Sequence, residues 1–367
     1  MIKVLVVDDS ALVRKLFGRV LAEEQGFEVA FARNGLEALD QLESFRPDVI
    51  TLDVNMPQMN GLECLDRIMI QRPRPVVMVS SLTAEGADAT FDALRLGAVD
   101  FVAKPSGAVS LRIDEFAPVL LDKIRAAAGA RVPASRRLRE RVQLKTAAVL
   151  ARAETKRTRT GDVLPDAPRG DGIVLVGTST GGPPALEALL VPLPRSFPWP
   201  IVVAQHMPAN FTGTLAQRLN GICALEVVEV LQAMPLQPGR VYIGRGDADV
   251  VISRRVSGLV AMAAPARANY LWHPSTERLV YSAMDHMPAS QLIGILMTGM
   301  GNDGAAAMTE LHAKGGQTIA EAEETAIVWG MPGELVRAGG ASWVVPLPKI
   351  ADQLQRLVPL HAADSQA

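Results

Sequence analysis

Short runs of β-branched and aliphatic residues, most ending in a polar residue and most followed by a stretch of helical periodicity, begin at the N-terminus. Between Lys3 and Asp53 the order is KVLVV, ALVRKLFGRVLAE, EVAFA, LEALDQLESF and DVITLD. Uninterrupted apolar runs of this length fit strands buried on both faces, and a helix between successive strands makes them parallel. Further runs at Val76 to Val79 and Phe101 to Ala103 bring the unit to about five repeats. The segment is thus an α/β domain with helices on both faces of a doubly wound sheet.

The rhythm stops between Ala130 and Gly170, where apolar density falls. Arg131 to Arg169 contains eleven Lys/Arg against four Asp/Glu, a local +7. Arg136 to Ala153 has some helical periodicity, but Lys145 interrupts its apolar stripe, and a solvated tether is the simpler expectation. From Asp171 the alternation resumes with IVLVG, a helix through Ala185 to Leu190, PIVVAQ and FTGTLAQRLN. VYIGRGD, GLVAMA and RLVYSA read as short strands in a row, which suggests a small antiparallel element. QLIGILMTGM, GGQTIA and SWVVPL, with helices between them, restore the α/β pattern. The expected division is a first domain at 1–125, a basic linker at 126–170 and a second domain at 171–360, the latter a Rossmann-like doubly wound sheet carrying that antiparallel piece.

A chain of 367 residues exceeds what one core commonly supports, and 49% hydrophobic with 21% charged residues fits globular domains. The formal net charge of −2 offers no whole-chain attraction to nucleic acid, and the second domain has no basic recognition helix. No apolar run approaches a membrane span, and the first one is too short for a signal-peptide core. Cys64 and Cys223 fall in different domains, so neither a disulfide framework nor a thiolate metal site is expected. These features point to the cytoplasm.

In a doubly wound sheet ligands gather at the carboxyl ends of the strands. Asp8 and Asp9 follow the first strand of this chain, Asp53 the third, Ser80 the fourth, and Lys104-Pro105 the fifth. Each alone has an ordinary explanation as a loop, strand-end or turn residue. Together they form a pocket in which three carboxylates repel unless a hard cation such as Mg²⁺ joins them. Lys104 and Ser80 can meet the oxygens of a phosphoryl group there, and a carboxylate attacking a phosphoryl donor yields an aspartyl phosphate.

The second domain opens with GTSTGG, Gly177 to Gly182, between a strand and a helix. Its glycines do not make G-x-G-x-x-G, and no Gly-Lys-Ser/Thr follows, so phosphate-binding readings fail on spacing. Gly177 to Gly181 does fit G-x-S-x-G in a strand-to-helix context, which would expose Ser179. A serine nucleophile needs a base oriented by a third group. His206, directly after IVVAQ, and Asp303, in MTGMGNDG after LIGILM, lie at other strand ends. His273, His286, His312 and His361 are less well placed and read as structural. The glycines at 299 and 301 leave backbone N–H groups free to turn toward an oxyanion.

VVDDS, LDVNMPQMNG, VMVSS and GAVDFVAKP closely resemble the response-regulator receiver family, whose fold is flavodoxin-like. That resemblance implies phosphorylation at Asp53, Mg²⁺ held by Asp8, Asp9, Asp53 and the Asn55 carbonyl, and a switch through Ser80, Phe101 and Lys104. VGTSTGG, AQHMP, LMTGMGNDGA and WGMPGE resemble the catalytic domain of the chemotaxis protein-glutamate methylesterase family. It implies Ser179 as nucleophile, His206 as base, Asp303 as its orienting partner, and N–H groups of Thr180 and Met300 at the oxyanion, with no cofactor for ester hydrolysis. The implied substrates are glutamyl methyl esters on chemoreceptor cytoplasmic domains, with glutamine deamidation as a second activity. The implied phosphodonor is a chemotaxis histidine kinase. A catalytically dead docking module and a DNA-binding response regulator are the competing classes. All three triad residues being present disfavours the first, and the missing recognition helix disfavours the second.

Overall fold

The computed structural model describes residues 1–81, 83–104, 113–131 and 172–358. The weakly periodic stretch 136–153, with nearly all of the basic linker expected to be a tether, lies outside them. The first sheet is β1 (Ile2–Val7), β2 (Phe27–Ala32), β3 (Val49–Asp53), β4 (Val76–Ser80) and β5 (Asp100–Ala103), all parallel in the order β2-β1-β3-β4-β5. Five helices alternate with these strands: α1 (Ala11–Glu23), α2 (Gly35–Ser44), α3 (Gly61–Gln71), α4 (Ala84–Leu96) and α5 (Ile113–Ala128). Ser10, Asn34, Asn60 and Thr83 each accept a backbone N–H at the start of α1 to α4, which fixes where those helices begin. Alternate strand residues serve opposite faces: Leu5, Val7, Ile50 and Leu52 pack in one core, Val4, Val6, Val49 and Val77 in another.

The second sheet has seven parallel strands: β6 (Ile173–Thr178), β7 (Ile201–Gln205), β8 (Glu226–Val230), β10 (Arg240–Gly244), β13 (Leu292–Leu296), β14 (Gln317–Glu321) and β15 (Trp343–Val345). Their order is β15-β14-β13-β6-β7-β10-β8. The sequence order reverses on either side of β6, so the crevice beyond its carboxyl end is where such a sheet binds ligands. Helices α6 (Gly182–Leu190) and α7 (Ala209–Ile222) follow β6 and β7, and α8 (Thr276–Met284) precedes β13. Beyond them come α9 (Ala305–Ala313), α10 (Met331–Arg337) and α11 (Leu347–Leu357).

The expected antiparallel element is present, but its membership differs. It consists of β11 (Ala248–Arg255), β12 (Gly258–Pro265) and the two-residue β9 (Met234–Pro235). VYIG instead joins the parallel sheet as β10, between β7 and β8. RLVYSA is not a strand; it lies in α8. Its Val and Tyr suggest a strand locally, but Ser275 caps the segment by accepting from the Arg278 N–H. Leu279, Val280 and Ala283 then fall on one buried helical face, and this tertiary burial overrides the weak local preference.

The two units pack through α4, which lies against α6 and α7. Phe101 of β5 meets Phe211 of α7 with ring centroids 4.4 Å apart, and both rings are buried. Arg218 of α7 bonds Asp92 at 3.0 Å and approaches Glu187 at 3.4 Å. Asp92 is more than half exposed, so that ion pair contributes little, whereas the buried aromatic pair adds roughly 1 kcal/mol beyond its area burial. A second polar link is buried: Thr180 Oγ1 donates to Asp100, whose other oxygen accepts from Lys123 at 2.7 Å and from the Phe101 N–H. Beyond α5, Arg131 bonds Glu323 at 2.8 Å.

Candidate active site and acidic pocket

The acidic pocket forms where β1 and β3 end side by side. Ligand oxygens of Asp8, Asp9 and Asp53 lie within 4.8 Å of one another. Lys104 reaches across from the end of β5, with Nζ 2.9 Å from both Asp8 and Asp53. Burial, with the neighbouring Asp8 charge, pushes the Asp53 carboxyl up to about 6 despite the Lys104 bond. Burial works against charge on Lys104 too, but its bonds to Asp53 and Asp8 prevail and raise it. Three hard oxygen donors at this spacing fit a divalent cation with water in its remaining positions. Ser80 sits beside the pocket, fully buried, and its hydroxyl donates to Gly86 O at 2.9 Å at the start of α4. Phe101 is turned toward the second domain. Pro105 lies outside the described residues.

Three adjacent strands of the second sheet, β13, β6 and β7, bring the other site together, each leading into polar residues beyond its carboxyl end. β6 ends in Thr178 and runs into Ser179, and Gly181, at φ 77°, makes the sharp exit into α6. β7 ends in Gln205 and runs into His206, and Gln205 Nε2 donates to the carbonyls of Ser179 and His206 at 3.0 and 3.1 Å. The loop after β13 supplies Thr298 to Asp303. It approaches the serine closely, since a Cβ at Gly299 would stand 2.8 Å from Ser179 Cβ.

His206 Nε2 lies 2.8 Å from Asp303 Oδ2, with both side chains buried. An ionised carboxylate only accepts, so Nε2 carries the proton and Nδ1 the lone pair. Nδ1 is buried and has no hydrogen-bond partner among the described residues. Asp303 is held from the opposite side by the first turn of α8. The Thr276 and Glu277 N–H groups donate to it at 2.6 and 3.1 Å, and Ser275 Oγ at 2.9 Å. Burial alone would raise the Asp303 carboxyl, but the His206 bond and these amides together hold it below its ordinary value. The Trp272 ring lies parallel to the imidazole, with centroids 5.9 Å apart.

Ser275 to Glu277, Gln205, Trp272 and Thr298 also line the site and are not among the residues expected from the sequence. Ser275 carries a signal in hindsight, a serine preceding a helical stretch. Gln205 and Thr298 are polar residues closing apolar strands. Trp272 gives no local sign of its place. Among the histidines set aside, His273 Nδ1 bonds Asp249 at 2.8 Å and His312 Nδ1 bonds Ser342 at 3.0 Å, while His361 lies outside the described residues.

The CheB methylesterase family model matches residues 174–354, and the response regulator receiver domain model matches residues 4–113. A Rhodopseudomonas palustris protein-glutamate methylesterase/protein-glutamine glutaminase is 56% identical over 366 residues, covering 99% of this chain and all of that one. The chain belongs to the CheB methylesterase family. A Rhodospirillum rubrum relative of the same name is 54% identical, over 96% of this chain and 95% of its own. The crystal structure of the Thermotoga maritima CheB methylesterase catalytic domain aligns over 52% of this chain and all of its own length, at 35% identity and a TM-score of 0.50. The chain is therefore a hydrolase of the methylesterase type joined to a receiver domain. Among the described residues no helix is long and apolar enough to cross a membrane.

Proposed function

We propose that this protein hydrolyses glutamyl methyl esters on the cytoplasmic domains of chemoreceptors, with Ser179 as nucleophile, and that phosphorylation of Asp53 activates it. The observation that carries the first part is the His206–Asp303 bond at the rim that holds Ser179. Ser179 Oγ attacks the ester carbonyl carbon while His206 Nδ1 takes its proton. The N–H groups of Thr180 and Met300, on loops tied together by Thr298, stabilise the resulting oxyanion. The tetrahedral species collapses, the methoxy group leaves with the proton from Nδ1 as methanol, and the glutamyl acyl group stays on Ser179. Water deprotonated by Nδ1 then attacks the acyl carbon, releasing the free glutamate and restoring the serine. A receptor glutamine would follow the same path and release ammonia.

In the receiver, Asp8, Asp9, Asp53 and the Asn55 carbonyl are the groups that would hold Mg²⁺. That ion, when bound, would offset the carboxylate repulsion and the charge of the incoming phosphoryl group. The Asp53 carboxylate attacks a phosphodonor, a chemotaxis histidine kinase in the cell. Lys104 would then pair with a phosphoryl oxygen, and Ser80 would leave Gly86 O to donate to another. Phe101 would withdraw from Phe211, and with it the receiver surface that covers Thr180. We assign 1–125 to the receiver, 126–170 to the linker and 171–360 to the esterase. Two free cysteines and a receptor substrate of this kind suit the cytoplasm.

The test is methanol release from methylated receptor by the full chain. Ser179→Ala should abolish it, by roughly 10⁴-fold or more, without altering the fold. Turnover retained in that variant would contradict the assignment.

A further inference from the structure

Glu321 closes β14 at the same rim as Ser179, His206 and Asp303, yet the reaction just described does not use it. It is fully buried. A buried carboxyl is costly unless it is bonded, and this one is bonded at both oxygens: Oε2 accepts the Thr298 N–H at 2.8 Å and Oε1 accepts Thr325 Oγ1 at 3.0 Å. Backbone pairing of β13 with β14 ends at Leu296 and Ala320. One residue beyond that register, the Glu321 side chain takes the place of a strand carbonyl and continues the ladder to Thr298.

Thr298 is where the loops meet. Its carbonyl accepts the Ser179 N–H and Thr178 Oγ1, both at 3.0 Å. Its hydroxyl donates to Thr180 O at 2.9 Å and accepts the Val328 N–H at 3.0 Å. With its N–H on Glu321, every polar group of Thr298 is engaged, and the residue has one orientation. The carboxyl therefore fixes a peptide whose other atoms fix the backbone of Ser179 and Thr180. That peptide lies two residues before Met300. An apolar side chain at 321 would leave the Thr298 N–H buried without a partner and free this corner to shift. A displacement of about 1 Å between a nucleophile and its oxyanion donors can cost a hundredfold in rate.

We propose that Glu321 is a positioning residue for the esterase, acting through Thr298 to hold the nucleophile loop and the Met300 loop in register. The proposal rests on the reading of Ser179 as nucleophile. What matters is acceptance of the Thr298 N–H, which a neutral amide performs as well as a carboxyl.

The experiment compares kcat and KM of the full chain, activated with a small phosphodonor, on methylated receptor for wild type, E321M, E321Q, T298V and S179A. E321M should lose roughly ten- to a hundredfold in kcat with KM changed less than about twofold, and E321Q should recover kcat to within about threefold. T298V keeps the N–H bond to Glu321 but loses the hydroxyl bond to Thr180, and should lose about tenfold. The double variant E321M/T298V should lose less than the product of the two single losses, because both act on one corner. If E321M fails to fold, T298V and E321Q decide: unchanged kcat in T298V, or a loss in E321Q beyond tenfold, overturns the role. A folded E321M with kcat within threefold of wild type does so as well. Turnover lost in S179A but retained in E321M would overturn the positioning role alone. Turnover retained in S179A would overturn the esterase reading and this role with it.

Discussion

The two sheets place their functional residues by the same rule and obtain opposite chemistry. In the receiver, Asp53 closes β3 and Asp8 and Lys104 directly follow β1 and β5, charged groups close together, with burial holding the Asp53 carboxyl up to about 6. In the esterase, β6, β7, β13 and β14 end near Ser179, His206, Asp303 and Glu321, and the charge on Asp303 is stabilised by His206 and the amides of α8. The first rim is an ionic pocket whose pairing an added phosphoryl group would rearrange. The second is a rim on which the His206–Asp303 pair is held in place by hydrogen bonds from the first turn of α8. Residue type at the strand ends, rather than topology, separates the charged rim from the hydrogen-bonded one.

The largest expected effects bear on the hydrogen-bonded rim. Asp303→Asn should lower kcat on methylated receptor by roughly 10³- to 10⁴-fold, less than Ser179→Ala, because it disturbs the tautomer and orientation of His206 while leaving the nucleophile. Equal losses in the two variants would mean that Asp303 does more than orient. A smaller effect bears on the junction between the rims. Asp100→Ala removes the receiver's buried bond to Thr180, and loss of about 1 kcal/mol from the closed state should raise basal methanol release, without phosphodonor, about fivefold. No rise would mean that the Thr180–Asp100 bond does not hold the closed state.

The smallest effect sharpens the electrostatic contrast. Burial pushes the Glu321 carboxyl up to about 7 from an ordinary 4.5, against the bonds from Thr298 and Thr325. Between those values the folded protein keeps a proton that the unfolded chain has released, so its stability falls as pH rises from about 4.5 to 7 and is level above. Glu321→Gln removes that titration. Its melting temperature relative to wild type should rise by a few degrees across this window and stay constant above it. A difference independent of pH would place the carboxyl outside the titration.

The parallel sheets were legible in the sequence because unbroken apolar runs between amphipathic stretches admit few other arrangements. Asp8, Asp53, Ser179 and His206 were legible for a related reason, each being a polar residue at or directly after a strand end, and Asp303 lies in the loop that follows another strand. What the sequence hid depends on contacts distant in the chain. Ser275 to Glu277 reach Asp303 across 26 to 28 residues, Thr180 meets Asp100 across 80, and Glu321 meets Thr298 across 23. The misread segment RLVYSA shows the same limit on a smaller scale. Its side chains suit either a strand or a helix, and the Ser275 cap together with burial of Leu279, Val280 and Ala283 decides between them.

Communication between the two rims is tested most directly by one measurement: methanol released from methylated receptor by the full chain, with and without a small phosphodonor, for wild type and Asp53→Asn. A shift of about 1.4–3 kcal/mol between closed and open arrangements predicts a ten- to hundredfold rise in wild type and no rise in Asp53→Asn. Equal rates with and without phosphodonor in wild type, or the same rise in Asp53→Asn, would contradict it.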